Sequence, residues 1–182
     1  MAESPQTPSG GASADQTAVD PANSPRLTIQ SQYVKDLSFE NPRAPQSLQP
    51  GQARPEIQIR VDVRAQPLEA GRYEVTLQLH VEAKAGLDNA FMVELTYGGV
   101  FGLLNIPPDS LQALLLIECP RLLFPFARRI IADTTRDGGF PPLMLDPIDF
   151  MTLYRRRQQA EAQAQAKGQP VPNPIVGDGP ES

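Results

Sequence analysis

The chain contains no tryptophan, one cysteine and one histidine in 182 residues. A single cysteine, Cys119, excludes an intrachain disulfide and a cysteine-rich zinc site, which fits a reducing cytoplasm. The sequence also lacks a glycine-rich phosphate loop, a serine nucleophile motif and a metal-type spacing of His, Asp and Glu. We therefore expect a protein that is not an enzyme and that binds no metal or other cofactor.

Basic residues are fewer than acidic residues, since 16 Lys and Arg residues and 21 Asp and Glu residues give a net charge of −5. A nucleic-acid binder is usually basic, so this balance argues against that class and favours partners that are themselves basic. Residues 1–25 lack the basic start and apolar run of a signal peptide. Residues 111–117 are too few and too close to charge to span a bilayer. We expect a cytoplasmic protein without membrane insertion.

Both ends of the chain are poor in large apolar residues. Residues 1–25 are rich in Ser, Ala, Pro and Asp, and residues 167–182 contain repeated Gly and Pro. Such segments bury too little apolar surface to offset the entropy that is lost on ordering. We predict a disordered amino-terminal arm over 1–25, a single packed domain over 26–166 and a disordered tail over 167–182.

Apolar and polar residues alternate with period two in four segments, which predicts four strands, over 27–39, 57–63, 73–83 and 90–104. In the third segment Val75, Leu77 and Leu79 share one face, and their polar neighbours share the other. This pattern is typical of an antiparallel sheet with one wet face, so we predict an α+β fold with helices packed on one face only. A Pro-rich crossover over 41–55 precedes the last three strands, which form a meander.

The most apolar region, 114–150, is interrupted by prolines. Pro120 and Pro125 lack backbone N–H groups, so we predict a bent helix in two pieces, the second over 122–133. Its apolar side chains recur at spacings of three and four, around much of the helix circumference. The paired glycines at 138–139 then end the helix.

The segment that follows this helix combines large apolar side chains with prolines. Residues 140–147 form a Pro-rich loop whose side chains need a partner surface, either the core or a bound molecule. Asp149 is placed to cap a final helix over 150–166, of which only the first turns carry an apolar stripe.

His80 and Cys119 form the only pair from which a Cys–His nucleophile could be built. His80 falls on the wet face of its predicted strand, whereas Cys119 precedes a proline in an apolar helix, where free cysteine is usually a small buried hydrophobe. The structural interpretation is therefore favoured over a Cys–His hydrolase. The basic run at 155–157 is interpreted as a solvated helix face.

Three carboxylates, Asp36, Glu40 and Glu94, lie on predicted strands or at their ends. Carboxylates that project from a wet sheet face suit a basic partner through charge complementarity, while solubility is the simpler interpretation from the residues alone. Met92 lies beside Glu94 on the outward phase of its strand and adds a small apolar element to this surface.

Four stretches of the chain are long and distinctive enough to compare with known families: YVKDLSFENPRAP at 33–45, FMVELTYGGVF at 91–101, ECPRLLFPFARRIIADTTRDGGFPPLMLDPIDF at 118–150, and the MTLYRRR that follows. Together they resemble the SecB family of bacterial protein-export chaperones. The resemblance covers 27–154, which is nearly all of the predicted ordered domain.

The resemblance implies a four-stranded antiparallel sheet with helices on one face, assembled as a homotetramer that is a dimer of dimers. It also implies an ATP-independent holdase that keeps precursor polypeptides unfolded and delivers them to SecA, the export motor. A SecB-like chaperone dedicated to one partner, such as an antitoxin, is the alternative within the same class. A purely structural oligomer without clients is a further alternative.

The resemblance also assigns residues to three surfaces by position. The implied SecA-binding residues are Asp36, Glu40, Met92 and Glu94. The implied oligomer-interface residues are Phe91, Val93, Leu95 and Tyr97. The implied client-binding residues are Leu48, Ile57, Ile59, Val61, Phe140, Leu143 and Leu145. No residue is implied as a metal ligand, because any zinc in this system belongs to SecA.

Overall fold

Four antiparallel strands form one sheet in a computed structural model that describes residues 24–51, 54–86 and 88–167. The predicted arm, apart from its last two residues, and the predicted tail, apart from Lys167, lie outside the described residues. The strands are β1 (Arg26–Glu40), β2 (Glu56–Pro67), β3 (Arg72–Ala85) and β4 (Asp88–Leu104). The helices are a short 3₁₀ turn (Gln46–Leu48), α1 (Pro108–Ala113), a π turn (Leu114–Glu118), α2 (Cys119–Asp137) and α3 (Phe150–Ala166).

The sheet has the order β1-β4-β3-β2, so the last three strands form the predicted meander and β1 lies beside β4. All four predicted strands are present, and β2 continues to Pro67, beyond its predicted end. Alternation along β3 is confirmed, since Val75, Leu77 and Leu79 are buried beneath the helices. We call this side of the sheet the helix-side face and the opposite, polar side the outer face.

Strand β1 contains two register shifts against β4, of which the second lies between Val34 and Asp36. A bulge adds one residue to a strand and so reverses which side chains face each way. Val34 lies opposite Tyr97 of the helix-side face, whereas Asp36 lies opposite Thr96 of the outer face. The shift therefore directs Asp36 outward and the next residue, Leu37, towards the helices.

The long apolar segment forms one continuous helical rod, Pro108–Asp137, and the predicted break at the prolines is wrong. The Cys119 N–H bonds to the Leu114 carbonyl, which makes the turn before Pro120 a wider π turn. Pro125 lies inside α2 at a cost of about 3 kcal/mol. Buried side chains such as Leu123 contribute about 1.5–3 kcal/mol each, so the apolar face that packs on the sheet outweighs that cost.

This rod is longer than the short run considered from the sequence, and by length and composition it could cross a membrane. In the fold it lies along the sheet, with 44% of its most apolar window buried. The core helix of a protein without a membrane span meets the same criteria of length and composition.

The ends of the helices agree with the sequence predictions. Asp137 is the last residue of α2, and Gly139 follows in a left-handed conformation with φ 89°. Helix α3 spans Phe150–Ala166, as predicted, and the Asp149 side chain accepts a hydrogen bond from the Thr152 backbone N–H at 3.0 Å. The cap and the buried Phe150 together fix the start of α3 against the core.

A buried carboxylate ties several strands together across the outer face. Glu74 on β3 is only 6% exposed. It accepts hydrogen bonds from Tyr33, from Gln66, and from Lys35 Nζ at 2.9 Å to each carboxylate oxygen. The ring of Tyr33 lies over Gly98 of β4, where an added Cβ would come within 2.8 Å of the ring. The missing side chain at Gly98 is what lets β1 reach β3.

The hydrogen bonds of this network change the pKa of both acids in it. Burial by itself raises the pKa of Glu74, but hydrogen bonds from Tyr33, Lys35 and Gln66 outweigh burial and leave that pKa below its ordinary value. Burial, together with the Glu74 carboxylate, raises the pKa of Tyr33 to about 12. Glu74 is therefore ionised in the folded protein at neutral pH.

Removing the Tyr33 hydroxyl tests this network. We expect Tyr33→Phe to lower the free energy of unfolding by about 1–3 kcal/mol at neutral pH, because a buried carboxylate loses a donor. A lowered folded-state pKa means that Glu74 stabilises the fold above the ordinary Glu pKa and that this contribution is lost as the pH falls through the lower folded value. The difference between wild type and variant, measured by urea unfolding, should therefore shrink at acid pH.

Tyr73→Phe is the matched control, since the Tyr73 hydroxyl has no hydrogen-bond partner among the residues described. Equal stability of the Tyr33→Phe and Tyr73→Phe proteins at neutral pH would contradict the role of the network.

Candidate functional site

The four residues implied for docking lie together on the outer face. In the β1–β4 ladder Asp36 is opposite Thr96, and Glu40 is opposite Met92. Glu94 lies between them on β4, with its side chain 58% exposed. Asp36 and Glu40 are exposed and Met92 is half-buried. We call Asp36, Glu40, Met92 and Glu94 the acidic patch.

A histidine that the sequence analysis considered only as a catalytic candidate belongs to the same surface. His80 on β3 lies directly opposite Glu94 on β4. Its Nδ1 lies 2.7 Å from Glu94 Oε1, and its Nε2 lies 2.7 Å from Glu82 Oε1. The alternation placed His80 and Glu94 on outward faces of their strands, but only the strand register shows that they are neighbours.

Glu82 has cationic neighbours on two strands. Its carboxylate lies 2.7 Å from Arg60 of β2 and 3.0 Å from Lys84 of β3. Hydrogen bonds from His80 and from Lys84 lower the pKa of Glu82 to about 2. Glu82 is therefore a fixed negative charge beside His80.

The structure separates the two residues of the hypothetical Cys–His pair. Cys119 is fully buried on the helix side of the sheet, whereas His80 lies on the outer face. Burial, with the Glu118 charge as a smaller cause, raises the pKa of the Cys119 thiol to about 12. The hydrolase hypothesis is wrong, because the thiol has neither a base beside it nor access to water. Among the described residues no cluster of three His, Cys, Asp or Glu suits a metal ion.

The implied client-binding residues occupy two places on the helix side. Leu48 is 44% exposed on the 3₁₀ turn and packs against Gly139, and Phe140 packs on Phe91 with ring centroids 4.7 Å apart. A groove runs between the crossover, the β3–β4 hairpin and the loop after α2. We call it the crossover groove; its apolar lining is Leu48, Pro55, Ala85, Ala90, Phe140 and Pro141.

The second place is the edge strand β2. Ile57, Ile59 and Val61 all point to the helix side, and Ile59 remains 44% exposed because α2 does not cover this edge. Val61 also lines a smaller groove beside α3, where Arg157 donates to the Val63 carbonyl at 2.9 Å. Part of the predicted solvated arginine run thus anchors α3 to β2.

The loop after α2 has side chains both in the core and at the surface. Leu145 is 2% exposed, so this residue packs in the core and is not accessible to a client, contrary to the position-based assignment. Leu143 is half-buried, and its backbone N–H bonds to Thr135 Oγ1 at 2.9 Å. Met144 between them is 60% exposed. The loop is held by Phe140, Leu143 and Leu145, which the sequence pattern did not distinguish from its exposed residues.

The residues implied for oligomer contacts lie inside a single chain. Phe91, Val93 and Leu95 are 3%, 0% and 1% exposed, and Tyr97 is 7% exposed. These four residues therefore belong to the hydrophobic core of one chain. A substitution among them could affect assembly only by changing how the helices pack on the sheet. The surface that does expose large apolar side chains between β1 and α2 consists of Ile29, Val34, Leu37, Leu122 and Phe126. We call this set the apolar strip.

Sequence comparison identifies the protein class. A family model described as preprotein translocase subunit SecB matches residues 20–161. The protein-export protein SecB of Parvibaculum lavamentivorans is 57% identical over 135 residues, covering 74% of this chain and 80% of the relative. That of Bradyrhizobium sp. is 55% identical over 138 residues, covering 76% and 85%. The class is therefore an export chaperone. The chain belongs to the SecB family.

Structural comparison supports the same fold. A Mycobacterium tuberculosis SecB-like chaperone, in complex with a ChAD peptide from the HigA1 antitoxin, matches with a TM-score of 0.54 at 20% identity. The match covers 68% of this chain and 91% of that one. At this identity the likeness concerns the fold alone, and it confirms the predicted α+β arrangement of a four-stranded antiparallel sheet with helices on one face.

Proposed function

We propose that this protein is an ATP-independent holdase that binds unfolded precursor polypeptides in the cytoplasm and delivers them to SecA. The observation that carries the proposal is the placement of the candidate surfaces. The crossover groove and the apolar side chains of β2 lie on the helix side, whereas the acidic patch lies on the outer face of β1 and β4. A client and a delivery partner therefore have separate faces of one sheet.

Client binding is supported by apolar surface that lacks a cover. Leu48 and Ile59 are each 44% exposed, one in the crossover groove and the other on the edge strand. An edge strand also offers backbone donors and acceptors to an extended chain, which gives affinity without sequence specificity. Such a surface suits any unfolded segment with spaced apolar side chains, and it needs no nucleotide.

Replacing both exposed side chains should weaken client capture. We expect the double variant Leu48→Ser with Ile59→Ser to bind an unfolded, signal-peptide-bearing precursor at least about tenfold more weakly without ATP, a change of about 1.4 kcal/mol. Calorimetric titration measures the affinity.

Leu68→Ser with Leu104→Ser is the control, because these leucines are 40% and 54% exposed but lie at the opposite end of the sheet. Equal capture by the two double variants would place the client site elsewhere. Bound chains recovered from the cytoplasm distinguish a general export chaperone, which carries many precursors, from one dedicated to a single partner such as an antitoxin.

Docking to SecA is supported by the charge of the acidic patch. Exposed ion pairs contribute about 0.2–1 kcal/mol each, so several carboxylates have to act together. Asp36 and Glu94 lie on adjacent strands of the outer face, two residues apart along the ladder. A basic segment of the partner would contact both at once.

Neutralising these two carboxylates tests the docking surface. We expect Asp36→Asn with Glu94→Gln to weaken SecA binding by about two- to tenfold and to leave folding and client capture unchanged. The wild-type complex should also weaken with added salt, because the Debye length is about 8 Å at physiological ionic strength and becomes shorter as salt is added. Glu69→Gln with Asp109→Asn, which alters two exposed acids elsewhere, is the control. If the docking variant binds SecA with wild-type affinity, the acidic patch is not a docking surface and its charge serves only solubility.

We also propose that the protein is a homotetramer, a dimer of dimers, in which a second copy covers the apolar strip. Side chains at 39% to 46% exposure form that strip, and Phe126 stacks on Tyr97 beneath it with ring centroids 6.4 Å apart. Symmetric association is the usual way to bury such a surface.

Charge in the apolar strip should weaken the assembly. We expect Val34→Asp and Phe126→Asp each to produce smaller species in sedimentation velocity at micromolar concentration, because association would bury an unpaired charge. Met144→Asp is the control, since Met144 is 60% exposed and lies outside the strip. A wild-type protein that sediments as a monomer would overturn the proposal.

A further inference from the structure

The outer face holds a histidine, His80, between two carboxylates. The protonation state of the imidazole decides whether it donates a hydrogen bond to one carboxylate or to both. Both ring nitrogens of His80 lie 2.7 Å from a carboxylate oxygen, one from Glu94 and the other from Glu82. A neutral imidazole has one N–H donor, so it donates to one carboxylate and turns a lone pair towards the other. Both contacts are favourable only when His80 is doubly protonated.

The two carboxylates are not equivalent when the imidazole is neutral. Glu82 keeps Arg60 at 2.7 Å and Lys84 at 3.0 Å, and its side chain is only 17% exposed. Glu94 has a side chain that is 58% exposed, and His80 is its only ion-pair partner among the described residues. Loss of one proton from His80 therefore removes the only cation beside Glu94 among the described residues, whichever ring nitrogen keeps its hydrogen, whereas Glu82 keeps two cations.

Other charged groups around His80 do not replace it. Arg60 lies opposite His80 on β2 but is bound to Glu82. The depression that contains His80 and Glu94 is lined by two further carboxylates, Asp36 of β1 and Asp62 of β2. Among the described residues Arg60 is the one other charged residue in its lining, and the rest is uncharged. The described helices pack on the other face of the sheet. The imidazolium is therefore the one cation paired with Glu94 among the residues that the structure describes.

We propose that His80 competes with a basic partner for Glu94, so that docking at the acidic patch strengthens as His80 loses its proton. Histidine changes charge between about pH 5 and pH 8, and the partner's Lys or Arg must displace an imidazolium at the acid end of that range. This inference rests on the proposed docking of SecA. His80 is then a positioning residue, which acts through Glu94 without contacting the partner.

The test is a calorimetric titration of SecA into the full-length protein across that pH range. We expect wild-type affinity to rise about two- to fivefold from the acid to the neutral end, the equivalent of one exposed ion pair. His80→Gln, which is uncharged at every pH, should bind SecA about two- to fivefold more tightly than wild type at the acid end and equally tightly at the neutral end. Titration of groups on SecA itself contributes equally to both profiles and cancels in the comparison.

The result for Glu94→Gln separates the two proposals. This variant should bind more weakly at neutral pH and should have the same pH profile whether position 80 is His or Gln. If the double variant Asp36→Asn with Glu94→Gln binds SecA as tightly as wild type, the docking proposal fails. If only that double variant binds weakly and Glu94→Gln binds as tightly as wild type, docking stands and the role of His80, which acts through Glu94, is overturned. If Glu94→Gln binds weakly while His80→Gln keeps the full wild-type pH profile, docking stands and the role of His80 is overturned.

A spectroscopic readout is independent of SecA binding. The chain has one histidine, so its imidazole NMR signals report His80 alone. They should titrate over the pH range in which wild-type affinity changes. A ring that keeps one protonation state across that range would overturn the proposal.

Discussion

One long helix covers four strands, and it covers mainly the middle two. Along β3 and β4 the helix-side residues are almost completely buried, as at Leu79 and Val93. At the two sheet edges burial is incomplete, since Ile59 of β2 and Leu37 of β1 are 44% and 42% exposed although Val63 and Ala65 of β2 are buried. The exposed apolar surface at these edges is a consequence of that mismatch in width, and we propose that each edge serves a different kind of association.

The outer face is more highly organised than a merely solvated surface. Glu74 is buried there under donors from β1 and β2, and His80 lies between carboxylates of β3 and β4. The first arrangement draws its donors from within the sheet and is closed to partners, because Glu74 is 6% exposed. The second leaves Glu94 accessible. Polar residues on one face of the sheet thus divide into those that hold strands together and those that remain free to bind.

The sequence predicted most of this fold because alternation reports burial directly. The faces of β3 and β4, the Asp149 cap and the glycines after α2 all depend on local patterns, and each agrees with the structure. The two bulges that interrupt the alternation of β1 were not predicted. The predicted helix break at the prolines was wrong because the free-energy cost of a proline is a local property. The burial that outweighs this cost comes from contact with the sheet, which the local sequence does not show. Family resemblance located the acidic patch, but the contact between His80 and Glu94 depends on strand register, and the burial of Leu145 depends on how its loop folds back on the core.

The second bulge in β1 decides which of the side chains after it face outward. Before the bulge the outward residues are odd-numbered, as at Tyr33, and after it they are even-numbered, as at Asp36. Lys35 is the extra residue, so deleting it would remove the bulge and would still leave Asp36 outward and Leu37 on the helix side. Inserting one residue between Lys35 and Asp36 would instead exchange Asp36 and Leu37 between the two faces, so an acid would enter the apolar side and a leucine would enter the acidic patch. Point substitutions in this stretch leave the parity of the strand intact.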